Sequence, residues 1–102
     1  MTISNGDKKH FRRLGHTLKP VVTLADKGLS DSVRREIDRA LSDHELIKIK
    51  FTVGDRKTRR AMSDEVCQSL GCELAQSVGH VSLIFRKSAT PDPKLSNLLR
   101  RP

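Results

Sequence analysis

The apolar positions of the chain change period several times, and each change marks an element. Phe11 and Leu14 form a narrow stripe that stops at Gly15, and Ser4 followed by Asp7 reads as a variant capping box, so a short first helix is predicted. Pro20 then fixes an extended entry into Val21, Val22, Thr23 and Leu24, a β-branched run too short for a helix and read as the first strand. Ser30 can cap a second helix, in which Val33, Ile37, Ala40 and Leu41 recur at i, i+4, i+7 and i+8. From Glu45 to Thr52 the period shortens to two, with Ile47, Ile49 and Phe51 on one face and Lys48 and Lys50 on the other. That alternation predicts a strand with one wet face. Gly54 and Asp55 open a third helix, whose Met62, Val66 and Leu70 recur every four residues until Gly71 ends it. Leu74 to Val78 and Val81 to Phe85 read as two further strands, joined through Gly79 and His80 in a tight hairpin.

The order α-β-α-β-α-β-β calls for a two-layer α/β domain in which helices cover a small four-stranded mixed sheet. A chain of 102 residues suits one such unit, expected over residues 1–87. Ser88 to Pro102 carries three prolines, little periodicity and the cations Lys94, Arg100 and Arg101, the pattern of a flexible basic tail.

Charge narrows the functional classes. Twenty Lys and Arg against twelve Asp and Glu leave a net charge of +8, and the pI of about 10.1 makes a polyanion the default partner. No apolar run nears the roughly 18 residues that a transmembrane helix needs, and Met1 to Gly6 lacks the pattern of a signal peptide. A monomeric cytoplasmic protein with no membrane partner is expected, with Cys67 and Cys72 reduced.

The cations are not spread evenly. Lys8, Lys9, Arg12 and Arg13 lie on the first helix with no acidic residue among them. The second helix mixes Arg34, Arg35 and Arg39 with Glu36 and Asp38, as an ordinary solvated face does. Arg56, Lys57, Arg59 and Arg60 crowd the start of the third helix, where the macrodipole disfavours each cation by up to about 1 kcal/mol. Helix stability does not account for that placement; a phosphate chain does. Lys48 and Lys50 either extend the basic surface across the sheet or keep its open face soluble.

The loop after the first strand reads Leu24, Ala25, Asp26, Lys27, Gly28, Leu29, and two readings fit it. It is either a plain turn before a capped helix or an anion site, with Gly28 supplying the turn, Lys27 the charge and the next helix its first amides. All three aromatics, Phe11, Phe51 and Phe85, fall at core positions, and Tyr and Trp are absent. Recognition by an aromatic stacking platform is therefore not expected. His10, His16, His44 and His80 are dispersed, and neither G-x-S-x-G nor a Walker pattern occurs. Cys67 and Cys72 lack further ligands at zinc spacing. No enzymatic activity, cofactor, metal or small-molecule substrate is expected.

His16, Leu18, Lys19, Pro20, Val21 and Val22, then Gly28 and Leu29, then His44 to Lys50 (HELIKIK) and finally Gly79 to Arg86 (GHVSLIFR) together resemble the CRM domain, the family of chloroplast RNA splicing and ribosome maturation that includes bacterial single-domain YhbY-like proteins. The resemblance spans about Ser4 to Lys87. It implies a fold similar to the C-terminal domain of a translation initiation factor, with a loop like the GxxG loop of KH domains. Ala25 stands where the family usually has the first glycine of that loop. The resemblance further implies binding to ribosomal RNA in large-subunit precursors, with Ala25, Asp26, Lys27, Gly28 and Lys19 joining the basic residues of the helices and sheet as the contact set. A basic DNA-binding or nucleoid protein and a ribosome-docked protein-interaction module are the alternatives.

Overall fold

The computed structural model describes residues 5–25, 28–52, 54–92 and 94–98. Its elements are α1 (Asn5–Gly15), β1 (Pro20–Leu24), α2 (Asp31–His44), β2 (Leu46–Phe51), α3 (Arg56–Leu70), β3 (Glu73–Val78) and β4 (Val81–Phe85). Ser4, the expected start of the first capping box, lies outside the described residues. The other two helix starts follow the expected chemistry. The Val33 amide donates to Ser30 Oγ at 3.3 Å and the Thr58 amide to Asp55 Oδ1 at 2.8 Å, satisfying one orphan donor at each helix start. Gly71 ends α3 in the left-handed region, at φ 64°.

The sheet runs β1-β2-β4-β3, with β1 and β2 parallel and the other pairs antiparallel. Ile47, Ile49 and Phe51 of β2 face α2 and α3, meeting Ile37 and Leu41 from α2 and Val66 and Leu70 from α3. This is the expected layer of helices on one face of a mixed sheet. On the other face, α1 lays Phe11 against Leu46, Ala75 and Leu83, with the Phe11 and Phe85 rings 4.6 Å apart. The cover there is partial, because α1 is short and crosses only part of the sheet.

Two details depart from the sequence reading. Glu45, which the alternation places at the start of the strand, instead ends α2 at φ 62°, the one non-glycine with positive φ among the described residues. It is buried, and its carboxylate accepts the Ser88 amide at 2.9 Å and the Ser96 hydroxyl at 2.8 Å. The second detail follows from the first. The segment expected to be a flexible tail is anchored over its described part: the Asn97 amide donates to His44 O at 2.9 Å, its side chain to Leu46 O at 2.6 Å, and Leu98 packs with the Phe11 cluster. A buried carboxylate requires donors, and Ser88 and Ser96 supply them.

Candidate nucleic-acid interface

The parallel register of β1 and β2 brings their carboxyl ends together, Leu24 opposite Phe51, and the antiparallel β4 begins beside them. The Thr52 amide donates to Leu24 O at 3.0 Å and the Phe51 amide to His80 O at 2.7 Å. The β1–α2 loop, the β2–α3 loop, the β3–β4 hairpin tip and the first turns of α2 and α3 therefore converge on one end of the sheet. In open α/β sheets this is where ligands are received.

Arg56, Lys57, Arg59 and Arg60 line one groove there, about 820 Å³ in volume, between the first turns of α3 and the hairpin residues Ser77 and Gly79. One acidic side chain, Asp64, is among its lining residues, and it lies 3.6 Å from Arg60. Both partners are more than half exposed, so the pair neutralises little. Arg56 and Lys57 form no ion pair among the described residues. Arg59 is more enclosed: one guanidinium nitrogen donates to Gly54 O at 2.7 Å, while its buried Nε has no hydrogen-bond partner among the described residues. Part of its role is thus to tie down the β2–α3 loop. The Asp55 carboxyl is held below its ordinary range, first by the Thr58 amide and hydroxyl and then by the Arg59 charge. It serves as the α3 cap beside Arg59.

Gly28 belongs to the same end. Its backbone is left-handed at φ 63°, its amide donates to Ala25 O at 2.9 Å, and a Cβ at this position would lie 3.6 Å from Met62 of α3. The turn therefore needs glycine for its conformation, not for space. Ala25 is not in the left-handed region, so its side chain costs no backbone strain. Asp26 and Lys27, the charged residues expected of this loop, lie outside the described residues.

The remaining basic residues fall elsewhere. Arg12 and Lys48 come together on the opposite face of the sheet, beside His16. Lys50 is exposed at the loop end of that face, opposite Thr23 and Val81. Lys8, Lys9, Arg13 and Lys19 line neither groove. Two arginines bind within the protein: Arg34 Nε donates to Ser69 Oγ at 2.6 Å, and Arg86 reaches Asp38, Ser42 and Leu70 O, clamping α2 to the end of α3.

Sequence reasoning missed the part played by the hairpin. A register shift between Leu74 and Gln76 breaks the alternation of β3. Ala75 and Gln76 both face the α1 side, which turns Ser77 toward the arginine groove and leaves Val78 62% exposed on the other face. Val78, an apolar residue where strict alternation promises core, is the signal a sequence could have carried.

The comparisons with known proteins agree with this geometry. A probable RNA-binding protein of Pseudomonas aeruginosa is 44% identical over 100 residues, covering 98% of this chain and 96% of its own. An RNA-binding protein of Haemophilus influenzae is 36% identical over 87 residues, covering 85% of this chain and 88% of its own. The solution structure of a hypothetical protein of Staphylococcus aureus matches with a TM-score of 0.78 at 22% identity, covering 87% of this chain and 93% of its own, and so shares the fold. The model of the CRS1 / YhbY (CRM) domain matches residues 3–86. The chain belongs to the CRS1/YhbY (CRM) domain family.

Proposed function

We propose that this protein is a non-enzymatic RNA-binding protein that grips the phosphate backbone at the loop end of its sheet, and that its target is ribosomal RNA in precursors of the large subunit. The observation that carries the reading is the groove of Arg56, Lys57, Arg59 and Arg60, four cations placed where the α3 dipole disfavours them and faced by one carboxylate. Such an arrangement is sensible only when an anion completes it. The RNA-binding relatives support RNA as that anion. The ribosomal target rests on what the family's resemblance implies, and the scarcity of aromatics favours a structured RNA read by backbone and shape over an extended single strand.

The test is ultraviolet crosslinking in cells followed by sequencing of the bound nucleic acid, paired with gradient sedimentation of ribosomal particles at low and high salt. Large-subunit rRNA and its precursors are expected to dominate the recovered sequences, with the protein released from the particles as salt rises. Recovery of DNA, or ribosome association that survives nuclease and high salt, would point to the nucleoid or protein-docking alternatives and overturn the reading.

A further inference from the structure

A second recess lies on the sheet face opposite the arginine groove, in the area that α1 leaves uncovered. The paired Val78 of β3 and Val81 of β4 give it an aliphatic patch at the hairpin end, while Lys48 of β2 stands between Pro20 of β1 and the buried Leu83 of β4. Arg12 and His16 of α1 flank it on one side, and Lys48 of β2 adds a third basic group. Neither Arg12 nor Lys48 forms an ion pair among the described residues, and no carboxylate is among the residues that line the recess. Gln76 offers the one neutral amide, able to donate and accept at once.

We propose that this recess takes one unpaired nucleotide of the bound RNA, its base lying on Val78, Val81 and the aliphatic stem of Lys48 and its phosphate meeting Arg12 and the Lys48 ammonium. The inference rests on the RNA-binding reading and adds a second contact to it. An apolar patch beside cations that form no ion pair among the described residues suits a ligand that is flat and apolar at one end and anionic at the other. The volume, about 290 Å³, falls just below the roughly 300 to 1,000 Å³ typical of small-ligand sites, which limits the occupant to a group no larger than a nucleotide. Gln76 matches the mixed donors and acceptors of a base edge. Position supplies the link between the two sites. β3 is an edge strand, and its consecutive residues Ser77 and Val78 line the arginine groove and border the recess respectively. An RNA held by α3 reaches the recess by passing one strand, its paired part on the helix side and an unpaired flank wrapped around the edge.

The full chain is titrated with two RNAs, a blunt stem-loop and the same stem-loop carrying a short single-stranded 3′ extension with 4-thiouridine. Covering the Val78 and Val81 patch is expected to tighten binding of the extended RNA about fivefold over the blunt one. Long-wave ultraviolet light should join the thiouridine to the peptide spanning residues 76–83 or to that containing His16. Val78→Glu, a change at an exposed position, should abolish the gain while leaving blunt stem-loop affinity within about twofold and the thermal midpoint unchanged. Equal affinity for the two RNAs, a gain that survives Val78→Glu, or crosslinks confined to α3 would overturn the proposal and leave backbone binding standing. Failure of both RNAs to bind would remove the backbone reading and the recess together.

Discussion

Replacing Arg56 and Arg60 together with alanine separates binding from folding, because the groove holds these side chains in contacts that contribute little to stability. Arg56 makes no ion pair among the described residues, and Arg60 meets Asp64 at 3.6 Å with side chains 65% and 61% exposed, a surface pair worth between 0 and about 1 kcal/mol. Against that loss, removing two cations from the first turns of α3 relieves a dipole penalty of up to about 1 kcal/mol each. The thermal midpoint of the double variant should stay within about 5 °C of the parent or rise slightly. Binding should respond differently. If each of the four groove cations meets one phosphate, the slope of log K against log salt is about −3, and removing two brings it to about −1.5. Between about 50 and about 200 mM salt the parent should then lose about 60-fold in affinity and the variant about 8-fold. Fluorescence anisotropy with a labelled rRNA stem-loop across a salt series measures the slopes, and scanning calorimetry measures the midpoints. An unchanged slope in the double variant would show that these arginines do not meet phosphates. A midpoint lowered by more than about 8 °C with binding intact would reassign them to folding.

Other perturbations address the loop, the docked strap that follows β4 (residues 88–92 and 94–98) and the thiols. Gly28→Ala places a side chain at φ 63° with only ordinary contact to Met62, so it should cost about 1 kcal/mol and lower the midpoint by about 4–8 °C, as read by calorimetry. Lys27→Glu is expected to weaken stem-loop affinity with the midpoint unchanged, and an unaltered affinity would remove the loop from the interface. Glu45→Ala leaves the Ser96 hydroxyl and the Ser88 amide without their acceptor, a loss of about 3 kcal/mol for two charge-assisted bonds. Hydrogen exchange should then quicken at Ser88 and Asn97, and unchanged protection there would show that the strap is held by something else. Cys67 is held below the ordinary thiol range chiefly by the neighbouring Cys72 thiol, while that neighbour and burial push Cys72 up; the Cys72 thiol donates to Val66 O at 3.9 Å. Limited iodoacetamide should therefore label Cys67 first, with a rate that levels off at lower pH than for a free thiol; mapping by mass spectrometry that found Cys72 labelled first would refute this.

Much of the architecture was legible because period and caps agreed. Ile47, Ile49 and Phe51 alternate for the same reason that they all face α2 and α3, and Ser30, Asp55 and Gly71 stand where the helix backbone needs an acceptor or a left-handed turn. The arginine cluster was legible for the opposite reason. It violates the preference of a helix start for anions, and Asp55 and Asp64 offset only part of four cations, so the excess charge stands out from the sequence. The loop was legible as far as Gly28, whose left-handed backbone supplies the expected turn.

The strap and the recess were hidden because each depends on one residue whose local appearance misleads. Glu45 sits at the head of an alternating run and reads as the first residue of a strand, yet its backbone turns back at φ 62° and buries the carboxylate. A charge in that position must find donors from outside its own element, and Ser88 and Ser96 lie more than 40 residues away in sequence. No periodicity in residues 88–98 signals their docking, since polar contacts and one apolar anchor, Leu98, hold them instead of a repeating face. The β3 irregularity works in the same way. Alternation from Leu74 promises that Gln76 and Val78 share its face, but the shift beside Ala75 reverses the phase, exposing Val78 and turning Ser77 toward the arginines. A bulge on an edge strand costs little in core packing, because the residues beyond it have few partners to lose. What it changes is which side of the sheet each side chain serves, and here that decides the wall of one groove and the border of the other.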